Sequence, residues 1–185
     1  MTDHGPSRDV QPPPEASGWS AAVLRTANRL EPSGDPSGVI YGTIVAGSVI
    51  ALLSRHTATA ERLSFEVLGT LLVYWLAHGY CRALSQRYVH GTRLRSAEVG
   101  SALAHELGIL KGGVAPVAVM VVAKLAGAEL ETAVWIALWT TVLLLLLAGV
   151  VAGIRSGARG AELAVDGVVG GLFGLALVLL KAALH

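Results

Sequence analysis

Four side chains able to carry a charge or a proton interrupt apolar stretches of the chain: Tyr41, His78, Lys111 and Asp166. An ionised Asp or Lys near the centre of a membrane helix costs roughly 2.5 to 3.5 kcal/mol on insertion scales, so such residues usually face a partner or a wet cavity. Imidazole and carboxylate groups can exchange a proton or hold a cation. We therefore hypothesise that the four converge on one polar or ion site within a membrane.

Each of these residues also has a purely structural interpretation. Lys111 can extend its amine to the lipid headgroups, and Asp166 falls in the first turn of a segment, where the helix dipole favours an anion. His78 stands close to Tyr74 and Trp75 and can simply donate to a backbone carbonyl. Both interpretations stay open on the sequence alone.

The elements that must position these residues are apolar segments long enough to cross a bilayer. Hydrophobic residues make up 53% of the 185 and charged residues 15%, which is unlike an ordinary soluble domain. Residues 132–154 contain no charged side chain, about the length that a helix needs to span the hydrocarbon. We predict an all-α transmembrane helix bundle of five crossings, at residues 37–54, 64–84, 107–127, 132–154 and 161–183.

The distribution of basic residues predicts the orientation of these crossings. Positively charged residues concentrate on the cytoplasmic side of membrane proteins. An N-terminus inside places ten basic residues inside and leaves Arg55, Arg62, Lys124 and Lys181 outside. This orientation puts Tyr41, His78, Lys111 and Asp166 at similar depths in the inner leaflet, since a helix rises about 1.5 Å per residue.

The remaining segments are predicted from composition and spacing. Residues 1–18 are rich in Pro, Gly and Ser and predict a disordered tail. Residues 19–36 predict an amphipathic juxtamembrane helix and a turn, and residues 37–185 the transmembrane domain. Residues 85–106 predict an interfacial helix that leads into the third crossing. That crossing is the weakest, because Pro116 should kink or break it.

Glycines spaced four residues apart are the most specific pattern in the chain. Such pairs let helix backbones approach closely in lipid, where apolar burial gives no drive between helices. Tight packing within one chain is the simpler interpretation, and a homo-oligomer seam along residues 165–174 is the functional one. The helix-packing candidates are Gly38, Gly42, Gly149, Gly153, Gly167, Gly170, Gly171 and Gly174.

Other polar residues predict little chemistry. The outer-end set, which we expect to form ion pairs, comprises Glu66, Lys124, Glu129, Glu131 and Lys181. His90, Glu98, His105 and Glu106 lack the spacing of a metal site, because neighbours on a helix project in different directions, and we expect a solvated or interfacial face. We predict no metal, no cofactor, no nucleic-acid partner and no enzymatic activity, since no nucleophile or paired carboxylates are placed for catalysis.

Several short segments resemble a group of small uncharacterised integral membrane proteins of actinobacteria. These are YGTIVAGSVIA from Tyr41, VYWLAHGY from Val73, AHELGIL from Ala104 and the ending LVLLKAALH. The resemblance implies a polytopic helical protein of the bacterial cytoplasmic membrane. It implies no activity, and no site residue follows from it.

Two functions remain open at this point. The first is a small, homo-oligomeric channel or transporter subunit, which moves a small ion through the inner polar site. The second is a scaffold or accessory protein that does not transport and recognises other membrane proteins through its glycine faces. The two differ in whether His78 and Asp166 share a water-filled cavity.

Overall fold

The computed structural model describes residues 37–90 and 96–183, and within these ranges every regular element is an α-helix. The helices are α1 Ser37–Leu53, α2 Ala60–His90, α3 Ser96–His105, α4 Leu107–Leu125, α5 Leu130–Ser156 and α6 Ala161–Ala183. The predicted all-α helix bundle is confirmed. The predicted tail (1–18) and juxtamembrane helix and turn (19–36) lie outside the described residues.

By length and composition, three helices of the described residues can cross a membrane, as in a multi-pass membrane protein. They are Val99–Leu125, which joins most of α3 to α4, Leu130–Ser156, which is α5, and Ala161–Ala183, which is α6. The two other expected crossings correspond to α1, which is apolar but only 17 residues long, and to α2, which spans 31 residues and carries more charge. The crossings therefore differ in how strongly their composition favours lipid.

Turn chemistry sets the ends of the helices. Thr59 accepts a hydrogen bond from the Arg62 amide through its hydroxyl oxygen at 3.3 Å, which satisfies an otherwise unpaired donor at the start of α2. Gly157 has a φ of 81°, a left-handed conformation that glycine adopts without strain, and it ends α5. The amide of Ala158 then donates to the Gly153 carbonyl at 2.9 Å. This tight turn returns the chain as α6 against α5.

Helix α1 is central, since it packs against α2, α4, α5 and α6. Apolar side chains fill the space around its second half and the facing parts of its neighbours. This region is called the side-chain-packed half, and its buried residues are Ala46, Ile50, Ala51, Leu63, Val67, Leu71, Val117, Met120, Ala133, Val134, Ala137, Leu138 and Val178.

The opposite end is called the glycine-packed half, because glycines form its two main helix–helix contacts. In the first, Gly38 and Gly42 of α1 lie against Gly108 and Ile109 of α4. In the second, Gly149 of α5 lies against the backbone of α6. Backbone approaches backbone in both contacts, as small residues permit in lipid.

Pro116 was expected to kink or break the third crossing, and the break does not occur, because α4 continues through it. Proline lacks the amide that would bond the carbonyl four residues earlier, here that of Gly112. The Thr43 hydroxyl of α1 lies 3.1 Å from this Gly112 oxygen, and 2.8 Å from the Val39 oxygen. A neighbouring helix thus offers the freed carbonyl a donor, as polar side chains do around prolines in membranes.

Candidate functional site

Two of the four predicted site residues meet at the contact between α1 and α2. The ring centroids of Tyr41 and His78 are 5.9 Å apart and the planes are tilted by 44°. Tyr74 also stacks on the imidazole, with centroids 5.7 Å apart and planes at 29°. Aromatic packing therefore orients His78, while Tyr41 remains 47% exposed.

Asp166 lies in a different groove, between α5 and α6. A Cβ atom built on Gly153 would come within 2.7 Å of Asp166 Oδ2, so the carboxylate rests directly on the glycine surface of α5. The groove forms a cavity of about 400 Å³. Its lining includes Ser156 and, from α1, Ile40. A half-buried carboxylate in an open groove can bind a proton or a cation, as carboxylates in proton and ion pathways of membrane proteins do.

Helix α1 separates these two polar places. Ile40 borders the Asp166 groove, whereas the next residue, Tyr41, contacts His78. Consecutive residues of a helix point in different directions, so α1 presents one face to each. The structure brings Tyr41 and His78 together and places Asp166 beside Ile40, in contact with α5.

Lys111 lies on the exposed side of α4. The two following residues, Gly112 and Gly113, face Val39 of α1 and Leu71 of α2. The buried face of α4 at this level is therefore made of glycine. The headgroup interpretation of Lys111 agrees with this exposure, and the convergence of all four residues stays a prediction.

The predicted outer-end residues occupy three separate settings. Glu66 accepts hydrogen bonds from Arg62 at 3.1 Å and from the Thr57 hydroxyl at 2.9 Å. Lys124 donates to the Ala128 carbonyl at 3.3 Å. Lys181, which was expected to form an ion pair at the outer end of its crossing, is only 2% exposed, and its burial was not predicted.

An ion pair that sequence reasoning missed joins α2 to the junction of α3 and α4. Arg82 Nη1 lies 2.7 Å from Glu106 Oε1, and Trp75 Nε1 donates to the Leu103 carbonyl at 3.0 Å. A solvated or interfacial face was expected for Glu106, and the solvated alternative is wrong for this residue, because it is 7% exposed. His105 beside it is exposed. The partners are 24 residues apart, a separation that helical periodicity does not reveal.

Most of the predicted helix-packing glycines face another helix of the same chain. A methyl group on Gly42, Gly149 or Gly170 would overlap a backbone carbonyl of the facing helix, and Gly38, Gly153, Gly167 and Gly174 also have close neighbours. Gly171 is different, because its nearest neighbour would be the Leu146 side chain at 3.6 Å, an ordinary contact. Two glycines with the same role, Gly108 and Gly112 of α4, were not among the predicted packing positions.

Within the described ranges, no three His, Cys, Asp or Glu side chains are grouped closely enough to hold a metal ion. Comparison of the chain with protein-family models, with curated proteins and with solved structures gave no match.

Proposed function

We propose that the protein is a small channel or transporter subunit of the bacterial cytoplasmic membrane, and that it moves an ion along the seam between α1, α5 and α6. The N-terminus is taken as cytoplasmic, from the distribution of arginine. In this orientation the Asp166 groove opens toward the cytoplasm. His78 is then a neighbour of the pathway on the other side of α1.

One observation carries the proposal: two cavities that each contain an ionisable side chain occupy opposite ends of the same three-helix seam, although the inner lining is otherwise Ser156, glycine and apolar residues. The inner cavity, of about 400 Å³, contains Asp166. The outer cavity, of about 340 Å³, contains Lys181, Glu131 and Arg55. Polar cavities in a membrane helix bundle commonly mark an ion or substrate pathway, because ionisable groups are costly there unless they are used or paired.

A short packed region separates the two cavities. At Gly47 of α1, a Cβ atom would lie 2.8 Å from Leu177 Cδ1 of α6 and 2.9 Å from Thr141 Cγ2 of α5. Leu138 and Thr141 are fully buried at this level. The seam is therefore closed between its polar ends, as expected of a gated pathway or of a transporter between its two open states.

One observation favours the scaffold alternative: His78 is not among the residues that line the Asp166 cavity, and a shared cavity was the feature expected of a transporter. The glycine packing counts against it, because a scaffold requires glycine faces that are available to other proteins, and most of these glycines pack inside the chain. A homo-oligomer, which remains part of the proposal, would have to use another surface. The exposed side of α6, with Val168 and Leu172, is one such surface.

Flux through proteoliposomes tests the function. Protons, sodium, potassium, chloride and phosphate would each be offered to the wild type and to Asp166→Asn. We expect the flux of the variant to be at least about tenfold lower, since the side chain keeps its shape but cannot ionise. Glu162→Gln removes a carboxylate from the exposed first turn of the same helix and is the matched control.

His78→Ala distinguishes transport along the seam from transport through a joint site of the four predicted residues. If α1, α5 and α6 carry the ion, this variant should retain most of the flux, whereas a joint site predicts a loss as large as that of Asp166→Asn. No flux for any ion, or equal flux in wild type and Asp166→Asn, would contradict the proposed pathway.

A further inference from the structure

The outer cavity of the seam holds a buried lysine. Lys181, on the last turn of α6, is 2% exposed and lines a cavity of about 340 Å³. The other lining residues are Ser54, Arg55, Leu130, Glu131 and Val134. Removing an ammonium group from water is costly unless charges or hydrogen bonds compensate it. The residues around Lys181 therefore decide what this cavity can accept.

The charges of the lining do not balance. Lys181 and Arg55 are basic, Glu131 is the one acidic residue, and the other three members are uncharged. One carboxylate can compensate one of the two cations. The cavity thus keeps a net positive charge, with Lys181 buried and Arg55 and Glu131 exposed. Water therefore screens the two exposed charges more than it screens Lys181.

We propose that this cavity is a binding site for a single anionic group, a phosphate or a carboxylate. The fork of an arginine matches two oxygens of such a group, and a lysine adds a compact charge. Position at an end of the bundle gives two sources of the same chemistry, a lipid headgroup or a free anion. Binding does not depend on transport, although the role of the anion as a transported substrate would rest on the proposed function.

The carboxylate of Glu131 competes with an anionic ligand for the two cations. It lines the same cavity as Arg55 and Lys181, so it can bind either of them in place of the ligand. Neutralising it should strengthen anion binding, whereas a cavity that only houses an internal ion pair gains no ligand affinity. The sign of this effect distinguishes a ligand site from a structural ion pair.

The experiment uses the full chain and two probes. Radiolabelled inorganic phosphate is bound to the protein in a neutral detergent, and native mass spectrometry counts phosphatidylglycerol retained from mixed vesicles that also contain phosphatidylcholine. Arg55→Gln and Lys181→Met should weaken binding of the relevant probe about tenfold to a hundredfold, the range for a lost charged hydrogen bond. Glu131→Gln should strengthen it.

Lys124→Gln is the matched control, since it removes a basic charge from an exposed position in a different cavity at the same end. It should leave the affinity unchanged. Phosphate binding without lipid retention identifies a free anion, and selective retention of phosphatidylglycerol identifies a headgroup. Lys181→Met exchanges a buried charge for an apolar chain of similar length, so it should fold, which its elution volume would verify.

Two results would overturn the anion site: neither probe binds, or Lys124→Gln weakens binding as much as Arg55→Gln. Failure of the proposed function has a different signature. Anion binding with no flux in proteoliposomes would leave the site in place and remove transport. Flux that depends on Asp166, together with no binding of either probe, would leave transport in place and remove the anion site.

Discussion

The side-chain-packed half and the glycine-packed half hold the same helices together in opposite ways. In the first, large side chains such as Ile50 and Leu138 fill the space between helices and are fully buried. In the second, Gly42 and Gly149 leave no room for even a methyl group. The first half is therefore sensitive to the loss of atoms and the second to their addition.

The two halves also differ in how they relate to the cavities of the seam. Close backbone contact at Gly149 and Gly153 brings α5 near enough for the Asp166 carboxylate to lie against it. Bulky side chains there would push α6 away and fill the groove. Glycine packing thus creates both the tight contact and the polar space beside it, whereas the side-chain-packed half separates the two cavities of the seam.

The largest effect is expected from Gly42→Ala, which adds one methyl group to the glycine-packed half. Its Cβ would overlap the Ile109 carbonyl, and backbone cannot rotate away as a side chain can. We expect a loss of about 3 kcal/mol in the free energy of unfolding, at the upper end for overpacking. Reversible unfolding in mixed detergent micelles measures it.

Gly69→Ala is the control for this change. Gly69 lies inside α2 with nothing within 4 Å of a Cβ atom. The alanine there should stabilise the protein slightly, by about 0.5 to 1 kcal/mol, because glycine is the weaker helix former. If the two substitutions had equal effects, close backbone contact would not be what distinguishes the glycine-packed half.

An intermediate effect is expected from Leu138→Ala, which removes atoms from the side-chain-packed half. Lipid is as apolar as the protein interior, so the transfer term is small and the lost contacts and cavity dominate. We expect a loss of about 2 kcal/mol, the low end for Leu→Ala in a core. Leu143→Ala, at an exposed position on the same helix, should cost much less. Equal losses at the two leucines would refute the division into halves.

The smallest effect is expected from Thr43→Val, which removes the hydroxyl near the Gly112 carbonyl. The loss should be about 1 kcal/mol, typical of one hydrogen bond. In the background of Pro116→Ala the loss should shrink, because an alanine amide can bond that carbonyl within α4. A double-mutant cycle measures the coupling. Thr140→Val, whose hydroxyl bonds only within its own helix, is the control, and an uncoupled cycle would mean that Thr43 does not compensate for the proline.

The sequence predicted the helical bundle because apolar length and charge scarcity act locally. The 27-residue α5 contains the charge-free run of residues 132–154 and ends at Gly157, both visible in the printed sequence. The glycine spacing also indicated close helix contacts. It did not reveal which helix each glycine faces, since that depends on how the crossings are arranged around α1.

The polar site was only partly accessible to the same reasoning. Depth in the membrane follows from position along each crossing, and it grouped Tyr41, His78, Lys111 and Asp166. Direction around each helix axis depends on packing, and packing put Tyr41 beside His78 but Asp166 against α5. The burial of Lys181 and Glu106 likewise arises from contacts between distant segments.

The ion pair between Arg82 and Glu106 has a consequence for the order of biosynthesis. The guanidinium is translated 24 residues before its counter-charge, so the pair can form only after Glu106 has followed. Until then an arginine on an apolar helix can extend its charged group to the lipid headgroups. An arrest of translation between the two residues would therefore leave the contact of α2 with the α3–α4 junction without its ion pair.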